Sequence, residues 1–253
     1  MILLQDTEII GVLSFVLNAY VLAKKTTRIR IFHCVDSNFS HYQILLSHAL
    51  SYIEKNHLNI EMFLPEDLTL TTQIIKDLGF LYQRTSYVMI RINKPITHIS
   101  FEEPYILKPF RAFEDAACYQ TIRNVAFKNL KGSETPITLE LVKELYQEED
   151  LLKDGMRILW KENEPIGIIR VLKEIDETGN YSFIAPLALL PEHQGKGLGK
   201  KLLRAGIVIG QENGYPDSML VVNAENENAL SLYLNEGYEI LSNISNYLRY
   251  TKS

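Results

Sequence analysis

Apolar and polar positions alternate with two different periods along this chain, and the changes of period divide it into elements. In the second half, Tyr105 to Phe110 alternates as a short strand and residues 113–127 repeat at helical spacing. A polar loop over 128–136 leads to Thr138, placed to cap a second helix reaching about Gln147, with Leu141, Val142 and Leu145 at helical spacing. A hairpin is predicted over 156–172, a strand over 181–190, a helix over 198–213 and a strand over 218–223. A helix over 226–236 and two closing strands complete the order. Lys94 to Pro104, with prolines at both ends, reads as a linker.

The first 93 residues repeat part of that order. Met1 to Leu13 (MILLQDTEIIGVL) resembles Arg157 to Ile169 (RILWKENEPIGII), each reading as a strand, a short polar turn and a second strand. Gly11 then corresponds to Gly167, Lys55-Asn56 to Glu212-Asn213, Met62 to Met219, and Leu78-Gly79-Phe80 to Glu236-Gly237-Tyr238. The offset moves only from 156 to 158 across these landmarks, a register that points to a duplication. The first copy begins at the hairpin, so it lacks the opening strand and two helices of the second. The division expected is a partial copy over 1–94, a linker over 95–104 and a complete domain over 105–253. Residues 9–23 are mostly apolar but follow Asp6 and Glu8 and are interrupted by Asn18 and Tyr20. They fall short of the roughly 18 apolar residues of a membrane span, so a buried strand pair is expected there, with neither a signal peptide nor a membrane role.

Composition narrows the partners. A net charge of −5 over 253 residues gives no global case for nucleic acid. Locally, Lys196, Lys200, Lys201 and Arg204 cluster, either as a solvated helix face or as a phosphate-holding group. Cys34 and Cys118 suggest no disulfide framework, and a reducing cytosol is the simplest expectation. His33, Cys34, His41 and His48 crowd one region, but without the tight pairing of a zinc site, and no metal is expected.

The chemistry concentrates in Leu189-Leu190-Pro-Glu-His-Gln194-Gly195-Lys196-Gly197-Leu198-Gly199, followed by Lys200. An apolar strand ends at a proline, and three glycines open onto a helix. Glycine lets the backbone approach a bulky anion and adopt positive φ. Successive N–H groups then form a nest, and the helix adds its unpaired first-turn donors and its positive dipole end. Such a loop suits a pyrophosphate. The first copy has Val35-Asp36-Ser37-Asn38-Phe39-Ser40-His41 instead, with no glycine and with a carboxylate that repels phosphate.

Downstream, Asn226-x-x-Ala229-x-x-Leu232-Tyr233-x-x-x-Gly237-Tyr238 follows the loop Gln194-x-x-Gly197-x-Gly199. Together the two stretches resemble the GNAT superfamily of acyl-CoA-dependent N-acetyltransferases, well over 105–253 and as a degraded partial copy over 1–93. The resemblance implies an α/β (α+β) fold with a mixed central sheet flanked by helices, and acetyl-CoA as cosubstrate. It implies that the backbone of Gln194 to Lys200 holds the pyrophosphate and that pantetheine lies beside the strand ending at Leu189 and Leu190. A backbone N–H near Leu189 would donate to the oxyanion, Asn226 would contact pantetheine, and Tyr233 would be the acid that meets the departing thiolate. Many members carry a basic Glu on the strand before the glycine loop, but Tyr181 to Ala188 holds no carboxylate and no base is assigned. His193 is expected to face solvent. The expected function is transfer of acetyl to a small-molecule amine. The alternatives are acetylation of a peptide or protein N-terminus, and a non-catalytic CoA-binding module.

Overall fold

The computed structural model describes all residues except 66–71, 93, 97, 98, 177, 178, 252 and 253. Two compact units divide the chain. The first holds Met1–Tyr87 with Asn223–Glu225 and Ser242–Ser253, and the second holds Val88–Val222 with Asn226–Leu241. Among the described residues no helix is long and apolar enough to cross a membrane.

In the first unit the hairpin β1 (Ile2–Gln5) and β2 (Glu8–Phe15) leads through α1 (Ala19–Lys24) to β3 (Thr26–Cys34). Then come α2 (Phe39–Lys55), β4 (Asn59–Pro65), α3 (Thr72–Asp77) and β5 (Leu81–Arg91), whose residues from Val88 on belong to the second unit. β1–β2 and β2–β3 pair antiparallel, and β3–β4 pair parallel. Helix α2 buries Tyr42, Leu45, Leu46, Ala49 and Ile53, one stripe at helical spacing, in a core with Leu13, Ile60 and Phe80. The apolar run over 9–23 is one strand to Phe15 and then a helix rather than a strand pair. Asn18 breaks it, because its side-chain oxygen accepts from the Val21 N–H at 2.9 Å and caps α1.

The second unit supplies the pieces absent from the first copy: β6 (Tyr105–Pro109), α4 (Ala116–Ala126) and α5 (Leu139–Tyr146). Thr138 caps α5 through the Leu141 N–H. The hairpin β7 (Leu151–Lys161) and β8 (Glu164–Asp176) continues into β9 (Gly179–Leu189), α6 (Leu198–Glu212), β10 (Ser218–Asn223), α7 (Glu227–Asn235) and β11 (Glu239–Arg249). Strands run in the order β10-β9-β8-β7-β6, with β9–β10 parallel and the others antiparallel. Helix α6 lies hard against this sheet: a Cβ on Gly206 would stand 2.5 Å from Ile169 Cδ1 and 3.1 Å from Ile184 Cδ1. The two closing strands expected after α7 are one unbroken strand. Ser242, Asn243 and Ser245 lie in it, but no glycine or proline stops it. Its residues Ile244–Arg249 pair antiparallel with Pro65–Ile60 of β4, inside the first unit.

The repeat is structural as well as sequential. β1, β2, β3, α2, β4 and α3 follow the same order and pairing directions as β7, β8, β9, α6, β10 and α7. Gly79 and Gly237 both take positive φ, +82° and +83°, just after α3 and α7. The N–H one residue on then reaches back to Ile75 O and Tyr233 O respectively. Among the described residues helix α1 has no counterpart in the second copy.

Candidate active site

Strands β9 and β10 pair only at Ser182–Ser218 and Phe183–Met219 and then part. Leu190 N–H donates to Ile166 O of β8, so by alternation the backbone groups of Leu187 and Leu189 face away from β8, into the opening. The Leu189 carbonyl there is taken by Gln194 Nε2 at 3.1 Å. The side chains of Leu189 and Leu198 are buried, which leaves their backbone as the part presented to a ligand.

At the foot of the opening, Pro191–His193 makes a 3-10 turn, and Gly195 and Gly197 take φ of +72° and +76°. A Cβ at either glycine would meet nothing within 4 Å, so both face open space. Among the described residues none of the six consecutive N–H groups from Gly195 to Lys200 has a hydrogen-bond partner, and the first taken is that of Lys201, by Gly197 O. Unpartnered donors at a helix N-terminus with open space in front favour an anion.

The corresponding corner of the first copy is closed by its own side chains. Asn38 caps α2 through the Ser40 N–H at 3.0 Å, and Asp36 accepts from the Asn38 N–H at 3.3 Å and pairs with His41 Nδ1 at 2.9 Å. The His41 hydrogen bond and that from Asn38 hold the Asp36 carboxyl below the usual range. A carboxylate already stands where an anion would bind.

The basic residues near the nest are partly committed to the protein. Lys200 Nζ and Arg204 Nε lie 2.9 and 2.6 Å from Glu236, whose side chain is buried. Burial pushes the Glu236 carboxyl up, but the hydrogen bonds from Arg204 and Lys200 outweigh it and keep it below the usual range. Lys196 Nζ donates to Glu192 O at 2.8 Å and Lys201 lies 3.5 Å from Glu102. His193 does not face solvent. The 3-10 turn folds its ring inward until it is 5% exposed, with Nε2 4.0 Å from Glu164 at the start of β8.

Asn226 caps α7, its oxygen accepting from the Ala229 N–H at 3.3 Å, while its amide nitrogen has no partner among the described residues. Tyr233 stands on the same helix, half-buried, with its ring 5.9 Å from that of Tyr238 and with no partner for its hydroxyl among the described residues. Burial pushes its phenol up to about 12. Tyr238 is fully packed instead, its hydroxyl 2.7 Å from Ser218 Oγ.

Sequence reasoning missed one group. Arg170, buried in the middle of β8, is hydrogen-bonded to Glu148, just after α5, close to the buried Tyr119 of α4. The signal was an arginine inside the apolar run Ile166–Leu172, where a charge has no packing reason to be.

A parted parallel strand pair over an open glycine nest sets a free strand edge beside a row of anion-binding donors. Residues 122–238 match the acetyltransferase (GNAT) family, and that part of the chain is a GNAT acetyltransferase domain. The partial copy before it shares the element order and pairing directions of this domain's central elements. Among solved structures it is similar to a GCN5-related N-acetyltransferase from Sphaerobacter thermophilus, with a TM-score of 0.75 and 14% identity over 96% of this chain and 78% of that one. A tandem GNAT protein from the clavulanic acid biosynthesis pathway gives a TM-score of 0.69 and 12% identity over 100% and 82%. A GCN5-related N-acetyltransferase from Kribbella flavida gives 0.66 and 13% over 96% and 88%. Identities this low carry the fold alone. No curated protein matches the sequence.

Proposed function

We propose that residues 105–253 are the catalytic domain and transfer an acetyl group from acetyl-CoA to the primary amine of a small molecule, by direct attack within a ternary complex. The observation that carries this reading is the row of six unpartnered N–H groups from Gly195 to Lys200 below the β9–β10 opening. These residues fit the cosubstrate. The open space over Gly195 and Gly197 admits pyrophosphate oxygens, and the free edge of β9 accepts the amide-bearing pantetheine as an added strand.

Acetyl-CoA supplies the thioester. Backbone N–H groups at Leu187 and Leu189 face the opening and serve the developing oxyanion, where one such donor is typically worth about 3 kcal/mol. The free amide nitrogen of Asn226 suits a pantetheine carbonyl. With its phenol at about 12, Tyr233 stays protonated and donates a hydrogen bond to the leaving sulfur. Complete proton transfer to a thiolate, whose ordinary value is about 8.5, is uphill, so its part is charge stabilisation.

Two other readings follow from the same site. A peptide or protein N-terminus is chemically the same acceptor class. A CoA-binding module without turnover needs the nest but has no use for an unpartnered Tyr233 hydroxyl. The partial copy keeps the topology but fills its nest with Asp36, so its part is structural. Both cysteines are free thiols, which fits a reducing cytosol. Calorimetry of acetyl-CoA with the wild type and with Gly197→Glu tests the reading. Binding abolished by the variant supports it, and no binding by the wild type rejects it. Mass-spectrometric screening of polyamines, aminoglycosides, amino acids and peptides then separates the acceptors.

A further inference from the structure

On β8, neighbouring side chains face opposite ways. Ile169 packs toward Gly206 of α6, so Arg170 points to the other face, where α4 supplies Tyr119 and the segment just after α5 supplies Glu148. Arg170 is only 6% exposed. Its guanidinium donates to the Glu148 carboxylate and, at 3.4 Å, to Ala185 O of β9, while its Nε has no partner among the described residues. The fully buried Tyr119 hydroxyl beside it is also without a partner. The Glu148 side chain, by contrast, is 46% exposed.

A buried guanidinium with unmet hydrogen-bonding capacity does not serve a core, where apolar residues of similar volume are at least as stabilising. What it does here is fix the direction of a carboxylate that still meets solvent. The pair also stands at a particular point of β9. Ile169 lies opposite Leu187 and Val171 opposite Ile184, so two residues, Ala185 and Pro186, oppose Arg170 in a bulge. Leu187 and Leu189, whose N–H groups open toward the thioester, follow at once. The strand before the glycine loop holds no carboxylate of its own.

We propose that Glu148 receives the ammonium of the acceptor and accepts its proton, with Arg170 as the positioning residue that aims the carboxylate. This deepens the acetyl-transfer reading and rests on it. An N–H bond of the ammonium gives its proton to Glu148, and the freed lone pair attacks the thioester carbonyl. The carbon–sulfur bond breaks with its electron pair going to sulfur, which Tyr233 hydrogen-bonds. Glu148 hands that first proton to solvent, takes the second amine proton and hands it on in turn, and solvent protonates the thiolate.

The test compares two acceptors with acetyl-CoA as donor. Hydroxylamine is uncharged at neutral pH and needs no deprotonation before attack, whereas ethylenediamine carries an ammonium. Glu148→Gln is expected to lower kcat/KM for ethylenediamine on the order of a hundredfold and for hydroxylamine by no more than about threefold, with acetyl-CoA affinity unchanged. Arg170→Lys keeps the charge but not the planar guanidinium that reaches Glu148 and Ala185 O together, and is expected to lower the ethylenediamine-to-hydroxylamine ratio by about tenfold. Equal loss on both acceptors, no loss on either, or a wild type that takes hydroxylamine but not ethylenediamine overturns the assignment. A wild type that binds no acetyl-CoA is a failure of the transfer reading itself, and is recognised before any variant is made.

Discussion

Gly167 lies opposite Leu189 across β8 and β9, and a Cβ on Gly167 would stand 2.6 Å from Leu189 Cδ2 and 3.1 Å from Ala188 O. The same pair exists in the first copy, where Gly11 lies opposite Cys34 and its Cβ would stand 2.9 Å from Cys34 Sγ. In both copies the missing side chain lets the third strand settle just before the turn into the long helix. Only in the second does that strand end lead to an open nest. Gly167→Ala is therefore expected to cost about 1–3 kcal/mol of stability and, by shifting Leu189, to weaken acetyl-CoA binding about tenfold. Gly11→Ala should cost similar stability and leave the affinity alone. Thermal melts and calorimetry on the two variants check this, and unchanged affinity in Gly167→Ala removes Leu189 from the cofactor site.

Tyr233→Phe removes a hydroxyl that has no partner among the described residues, so folding should change little. Turnover should fall on the order of a hundredfold with acetyl-CoA affinity nearly unchanged, which single-turnover kinetics and calorimetry separate. Because burial holds the phenol at about 12, wild-type kcat should show no alkaline fall from this group below about pH 10. Equal loss of affinity and turnover marks Tyr233 as a packing residue.

The glycine nest, the capped helices and the repeat were legible because each is written locally. Gly195 and Gly197 carry the positive φ that only glycine takes easily, and Thr138 begins α5 by its own side chain. What was not legible depends on distant partners. Nothing near Asn246 announces that β11 continues past Leu241, because that stretch is fixed by β4, some 180 residues earlier in the chain. His193 reads as a loop residue until the 3-10 turn folds it under the start of β8. The Arg170–Glu148 pair joins a strand to a loop after a helix and has no spacing to betray it.

Glu236 ties the C-terminal end of α7 to α6, and its native carboxyl sits below the ordinary glutamate value of about 4.3. A depressed native value means the unfolded chain takes up protons first. The stabilisation is complete above about pH 4.3 and is lost as pH falls through the native value. Glu236→Gln should therefore lower stability by about 2 kcal/mol at neutral pH, with the difference from wild type shrinking as pH drops below about 4.3. Urea midpoints across that range decide it. A constant difference at every pH assigns the loss to packing instead.

The first copy keeps a role even without a nest, because the end of the chain is built into it. Ile244–Arg249 of β11 pair with β4, and Asn246, 1% exposed, accepts from Arg84 at 2.9 Å and donates to Glu61 at 3.1 Å. Deleting residues 1–93 removes β4, Arg84 and Glu61 together. It leaves Asn246 without these partners, Tyr247 uncovered and a bare strand edge, the pattern that invites pairing between molecules. The fragment 94–253 is expected to be insoluble or aggregated by size-exclusion chromatography, whatever its nest retains. Asn246→Leu in the full chain provides the milder form. It leaves Arg84 and Glu61 in place without the amide between them and should cost about 3 kcal/mol in urea titration, with acetyl-CoA affinity intact. A soluble, monomeric and fully active 94–253 fragment would show that the partial copy is dispensable and that the C-terminal strand needs no partner from it.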